Sequence, residues 1–142
     1  MSLSIIFFNI YFMKHILYKK LFENKVEISK KDDYLLFKLN NSFAKVYFNN
    51  DLISEDLPLW ATKEAYLSFI DNKGEKGNGK IIINEIITKL KNLGADILTL
   101  RIDNGIGFLG KSHNKLYDYY KSLGFKSFSE NEYDGAMYMD LR

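Results

Sequence analysis

The sequence predicts a mixed α/β (α+β) domain: one sheet, mostly antiparallel, with locally parallel strands and flanking helices. Three observations carry this. The first half of the chain holds short alternating β-rich runs separated by turn residues; the second half holds two amphipathic helical stripes, each preceded by a strand and a glycine-rich stretch; the end is a hairpin. Strand–helix–strand units require parallel neighbours, whereas hairpins require antiparallel ones.

In chain order, Lys25 to Lys30 alternates as a half-buried strand does. Tyr34 to Leu39 and Phe43 to Phe48 are strands joined by the tight-turn composition Asn40-Asn41-Ser42. Tyr66 to Ile70 is the next strand, running into Lys73-Gly74-Glu75-Lys76-Gly77-Asn78-Gly79-Lys80. From Lys80 to Leu93, the residues Ile82, Ile83, Ile86, Ile87, Leu90 and Leu93 form one helical stripe, and Gly94 stands where a helix end favours a left-handed residue. Ile97 to Ile102 is a strand, followed by a glycine-rich connection (Gly105, Gly107, Gly110) and a helix from His113 to Leu123 closed by Gly124. Phe125 to Ser129 and Ala136 to Leu141, around the polar turn from Glu130 to Gly135, make the final hairpin.

Composition bounds the function. The 142 residues, 46% apolar and 27% charged, with a single proline (Pro58) and no Gly/Ser linker, fit one domain over residues 1–142. A chain of this size buries about 68% of the surface its unfolded form exposes, so it needs neither disulfide nor metal. The absence of cysteine excludes a disulfide framework, thiolate nucleophiles and cysteine zinc sites, and two histidines (His15, His113) leave little for an imidazole metal site, so no metal is expected. A reducing, cytoplasmic compartment is compatible with this.

A net charge of +2 does not point to nucleic acid, and the longest apolar stretch, Ile5 to Met13, falls short of the ~20 residues of a spanning helix. It also lacks the basic flank and cleavage site of a signal peptide. Residues 1–12 read as an upstream extension before Met13-Lys14, and an apolar segment of this kind is expected to pack as an added element, including across a homodimer. Charge is uneven: residues 1–31 carry net +4 and residues 51–72 net −4, either a solvated rim or an attraction for a cationic substrate.

Two glycine motifs have well-known readings that fail. Gly74 to Lys80 fits GxxxxGK, but Ile81 replaces the Ser/Thr that holds Mg²⁺ in a P-loop. Gly105 to Gly110 fits GxGxxG, but the 32 residues after it are too few for the rest of a dinucleotide-binding sheet. The remaining reading of Lys76-Gly77-Asn78-Gly79-Lys80 is a metal-free phosphate turn at a helix N-terminus, with Lys73, Lys76 and Lys80 adding charge; a plain connection is the alternative.

Taken with Tyr120-Lys121-Ser122-Leu123-Gly124-Phe125, residues 66–128 resemble the GCN5-related N-acetyltransferase (GNAT) family, whose motifs run strand, R/Q-x-x-G-x-G/A, helix, strand, then N-x-x-A-x-x-hydrophobic-Y-x-x-x-G-F. Gly77 and Gly79 match the pyrophosphate-loop glycines, Tyr120 the family tyrosine, and Gly124-Phe125 the helix-ending pair. The sequence departs from the pattern at Gly74 (Arg or Gln in the family), at His113 (Asn, here one place on at Asn114), at Leu116 (Ala), in its longer connection after Ile102, and in a shortened N-terminal helical region.

The resemblance implies a sheet whose parallel strands splay around acetyl-CoA as cosubstrate, without metal. Leu67, Phe69 and Ile70 would pair with its pantetheine; Gly74, Glu75, Lys76, Gly77, Asn78, Gly79 and Lys80 would hold the pyrophosphate; His113, Asn114, Tyr117 and Tyr120 would contact it from the second helix. An amine of a small molecule or peptide would attack the thioester through a tetrahedral intermediate, with the oxyanion held by a strand N–H near Phe69 or Ile70 and Tyr120 as the acid. Glu64 is the first choice of general base and Asp71 the second. The rival is a non-catalytic module of the same fold that binds an acyl-CoA or a protein partner. Neither nucleic acid nor membrane is expected as a partner.

Overall fold

The computed structural model describes residues 9–10, 13–14, 25–48, 57–71, 76–102, 113–128 and 135–142. Seven strands form one sheet: β1 (Glu27–Lys30), β2 (Tyr34–Leu39), β3 (Ser42–Tyr47), β4 (Glu64–Asp71), β5 (Ile97–Arg101), β6 (Lys126–Ser127) and β7 (Ala136–Asp140), in the order β1-β2-β3-β4-β5-β7-β6. Helix α1 (Asn78–Asn92) joins β4 to β5, and α2 (His113–Ser122) precedes β6. Only β4 and β5 are parallel; the other five pairings are antiparallel. The mixed, mostly antiparallel class read from the sequence is the observed one.

Register sorts the side chains onto two faces. Leu35, Phe37 and Leu39 of β2 align through Val46 and Ala44 of β3 with Leu67 and Ile70 of β4, and onward through Leu98 and Leu100 to Met139 and Met137. This apolar face meets the α1 stripe of Ile82, Ile83, Ile86 and Leu90, all at most 1% exposed. Leu116, Tyr117 and Tyr120 of α2 join the same cluster. The opposite face carries Tyr34, Tyr47, Tyr66 and the stacked pair Phe43–Phe69 (ring centroids 5.2 Å apart), with the Lys45 ammonium 4.1 Å from the Tyr34 ring.

Element ends follow from hydrogen-bond demands. Asn40, at φ 53°, turns β2 into β3, a conformation asparagine tolerates better than most residues. Helix α2 ends on Gly124 at φ 107°, where the Phe125 N–H donates to the Tyr120 carbonyl (3.1 Å). That cap uses the backbone donor a strand from Phe125 would need, so β6 starts only at Lys126. Strand β4 begins two residues before the predicted Tyr66, because Glu64 and Ala65 are drawn into the core at 0% exposure.

At the start of the parallel pair, Asp96 acts as a clip. Its carboxylate accepts from the Thr62 N–H (2.8 Å), the Thr62 hydroxyl (2.8 Å) and the Lys63 N–H (3.0 Å), while its own N–H donates to the Lys63 carbonyl (3.0 Å). Partial burial opposes the charged form, but these donors outweigh it and hold the carboxyl below its ordinary value of 3.8. A folded-state value below the unfolded one stabilises the fold above about pH 4, and the contribution is lost as pH falls through the folded value. Asp96→Ala is therefore expected to cost about 1 to 2 kcal/mol at pH 7, measured by urea unfolding, with the difference from wild type shrinking below pH 4.

Candidate active site: a divergent strand pair leading to a bare helix N-terminus

The parallel ladder runs from Glu64↔Ile97 to Leu67↔Leu100 and stops there. Strand β4 continues to Asp71, still paired with Phe43 of β3, while Arg101 of β5 stays with Ala136 of β7. The separation starts at a bulge. Lys45 opposes Phe69 and Val46 opposes Leu67, so Ser68 has no opposite residue on β3, and its hydroxyl donates to the Lys45 carbonyl (3.3 Å). An extra residue bends and twists its strand, which turns β4 away from β5. From Ser68 to Asp71, about 10 Å of strand, β4 has no parallel strand beside it among the described residues.

Helix α1 begins beyond this slot. Gly77, its N-terminal flanking residue, has φ 96°, and a Cβ built there meets nothing within 4 Å. The first helical bond runs from the Ile81 N–H to the Gly77 carbonyl (3.2 Å), so helix bonding leaves the Asn78, Gly79 and Lys80 amides unused. Among the described residues no side chain caps them, and no acid lies in the first turn. Asn78 is 4% exposed and its amide donates to the Ser42 hydroxyl (3.4 Å), which fastens the turn to β3. Lys76 and Lys80 are exposed beside it. Partial positive charge, flanking lysines and open space favour an anion here.

Helix α2 supplies Tyr117 and Tyr120, both buried. Tyr120 packs edge-on against Phe125 (5.8 Å) and Tyr119 (5.4 Å). Burial, and secondarily Tyr119, push its phenol well above the ordinary value of 10, so it keeps its proton at any physiological pH. Tyr117 lies under the Lys121 ammonium, 6.0 Å from the ring centroid. His113 and Asn114 open the helix, one or two turns before Tyr120, but their side chains lie outside the described residues.

Glu64, the first-choice base, is 0% exposed and accepts from the Thr99 hydroxyl (2.6 Å). Its backbone pairs with Ile97, two residues before Thr99, so the side chain leans toward the divergence and ends one residue short of the last pair. Asp71, the second choice, is buried at the far end of β4 opposite Phe43. The structure thus brings Leu67, Phe69, Ile70, Lys76, Gly77, Asn78, Gly79 and Lys80 into one slot and cradle, and sets Tyr120 and Glu64 on opposite faces of the sheet. Gly74, Glu75 and Lys73 lie outside the described residues, as do Asp51, Glu55, Asp56, His15 and the Gly105, Gly107, Gly110 connection.

Thr99 and Ser68 were not picked out from the sequence. A lone Thr amid the apolar residues of Ile97 to Ile102 was the available signal for the first; the polar residue of a five-residue strand is too common a pattern to announce a bulge. Among the described residues no group of His, Asp or Glu is placed to hold a metal ion, and no helix is long and apolar enough to cross a membrane.

No family model and no curated protein matches this chain. Among solved structures it is similar to AtaTR bound with acetyl-CoA, at 15% identity and TM-score 0.46, over 76% of this chain and 66% of that one. A mutant AtaT toxin bound to the C-terminus of the antitoxin AtaR and acetyl-CoA is similar at 12% identity and TM-score 0.47, over 76% of this chain and 67% of that one. The chain spans about two thirds of the length of these proteins.

The Glu64–Thr99 bond yields a stability test. Thr99→Val keeps the shape but removes the donor to a sealed carboxyl, and is expected to destabilise by about 1 to 3 kcal/mol in chemical unfolding, with Thr99→Ser recovering most of the loss.

Proposed function

We propose that the protein is an acetyl-CoA-dependent N-acetyltransferase acting on a primary amine of a small molecule or peptide. The observation that carries this is the continuity of the slot with the cradle: β4 runs on without β5 from Ser68 to Asp71 and points toward the uncapped start of α1. A ligand suited to it has an extended, amide-bearing arm that can pair with a strand and a pyrophosphate that can sit on helix amides. Coenzyme A has both. Cytoplasmic placement goes with this reading, since that is where the thioester is made.

In this reading the acceptor nitrogen bonds to the thioester carbon, and the negative charge gathering on the carbonyl oxygen is met by a β4 backbone N–H near Phe69 or Ile70. As the carbon–sulfur bond breaks, the electron pair leaves with sulfur, and Tyr120 donates a hydrogen bond to it. With a phenol pKa raised by burial, Tyr120 stabilises a departing thiolate, ordinarily near ~8.5, by hydrogen bonding better than by giving up its proton. The acceptor's excess proton passes through the Thr99 hydroxyl to Glu64. The products are the N-acetyl amine and free CoA.

The sealing of Glu64 (0%) and Thr99 (1%) favours a second reading, a module of the same fold that binds an acyl-CoA or a protein partner without transfer. Transfer to any member of a broad amine panel decides against it.

The deciding experiment is thermal unfolding with acetyl-CoA, CoA and Mg-ATP in parallel. Ligand at about 100 times its Kd adds ~2.7 kcal/mol, or roughly 9 °C for a domain of this size. Stabilisation by the two CoA compounds and not by Mg-ATP is expected, and its reduction in Gly77→Val places the ligand at the α1 start; no shift with either CoA compound overturns the reading.

For the chemistry, Tyr120→Phe is expected to lower turnover about 10²-fold while the acetyl-CoA thermal shift stays within 1 to 2 °C of wild type, and wild-type turnover is expected to show no loss from phenol ionisation up to about pH 10. Unchanged turnover in the variant at saturating acetyl-CoA removes Tyr120 from the reaction.

A further inference from the structure

From Lys76 to Lys80, the side chain that turns into the protein is that of Asn78: the two lysines are exposed, and Gly77 and Gly79 have none. Helical spacing sets the direction. Asn78, Ile82, Ile86 and Leu90 fall four residues apart, so Asn78 stands at the N-terminal end of the stripe that packs on the sheet, at 4% exposure where the three apolar residues have 0%. On β3, Ser42, Ala44 and Val46 alternate onto the face beneath α1, all at 0%, and Ser42 is the polar member. A polar side chain thus stands where the pattern calls for an apolar one on both sides of a single contact, the Asn78 amide donating to the Ser42 hydroxyl (3.4 Å).

Stability does not call for this pair. Leucine at position 78 would continue the stripe and has the better helix propensity, and replacing a buried hydrogen-bonded pair by apolar groups is often neutral or stabilising. What the hydrogen bond adds is direction. It holds the first turn of α1 at one rotation and one height relative to β3, whereas an apolar contact tolerates sliding. That turn carries the Asn78, Gly79 and Lys80 amides that helix bonding leaves unused. Amides fixed before an anion arrives bind it without the cost of ordering them.

We infer that Asn78 is a positioning residue of the proposed pyrophosphate cradle: through Ser42 it ties the first turn of α1 to the head of β3 and so aims the free amides, while its own side chain faces the sheet and not the anion. The inference rests on the acetyl-CoA reading above. It separates Asn78 from Lys76 and Lys80, which would act on the anion by charge.

The test separates positioning from stability, with CoA titrated by calorimetry and the ligand-free chain unfolded thermally alongside. Asn78→Leu is expected to hold the unfolding midpoint within about 2 °C of wild type or raise it, yet to weaken CoA binding about 10-fold. Ser42→Ala, which repeats the neighbouring Ala44, is expected to weaken binding by a similar factor, and the double variant no further than either single one. Wild-type affinity in both single variants, affinity lost only in step with the midpoint, or losses that multiply in the double variant overturn the inference and leave the acetyl-CoA reading standing. A wild type that binds no CoA overturns that reading, and this inference with it.

Discussion

The constraint on which the molecule turns is Ser68, the residue that the β3–β4 register skips. Every buried backbone donor and acceptor needs a partner, and in the middle of a sheet each strand finds partners on both sides. With Ser68 unmatched on β3, β4 keeps its register with β3 through Asp71 only by swinging away from β5 after Leu67. A sheet that would otherwise continue its parallel ladder opens at that point. Beyond that point β4 runs from Ser68 to Asp71 without a parallel strand beside it among the described residues.

A divergent pair needs firm fixing where the strands are together. Asp96 ties the residues before β4 to those before β5 through three accepted hydrogen bonds, and the Leu141 N–H donates to the Asp96 carbonyl (2.9 Å), which brings in the end of β7. Next to it Arg142 makes a two-point contact with Asp140 (3.0 and 2.9 Å) and lays its guanidinium over Trp60 at 3.7 Å. This contact holds the Asp140 carboxyl at about 2. The Glu64–Thr99 bond adds a crossing inside the sheet. Trp60 thus belongs to the closed end of the pair, opposite the slot.

Legibility in the sequence follows the range of the forces. Local ones were readable: the α1 stripe, its Gly94 end at φ 87° and the Asn40-Asn41 turn all depend on residues within a few positions, whereas α1 starts at Asn78, two residues before the Lys80 read from its apolar stripe. Strand ends set by distant partners were not. Glu64 looks like a solvated strand-end carboxylate until Thr99, 35 residues on, supplies its donor. The β6 start depends on which carbonyl takes the Phe125 N–H, and the bulge on how β3 and β4 align, neither of which a linear pattern specifies. The residue roles in the site came from the family resemblance rather than from periodicity, which by itself makes Tyr120 a core aromatic.

The two faces of the sheet would divide the chemistry of the proposed transfer between them. Tyr120 belongs to the apolar cluster with Leu116, Phe125 and Met137, whereas Glu64, Tyr66 and Thr99 share the other face by register. Burial keeps the phenol protonated, and in the proposed transfer it would serve as a hydrogen-bond donor to the leaving sulfur. In the proposed transfer the proton of the attacking amine would leave on the other face, toward Glu64, whose carboxylate accepts from the Thr99 hydroxyl. A thioester lodged between the split strands would then have its leaving group turned toward one face and its nucleophile arriving from the other, so that the bulge which opens the slot would also separate the two charges of the proposed reaction.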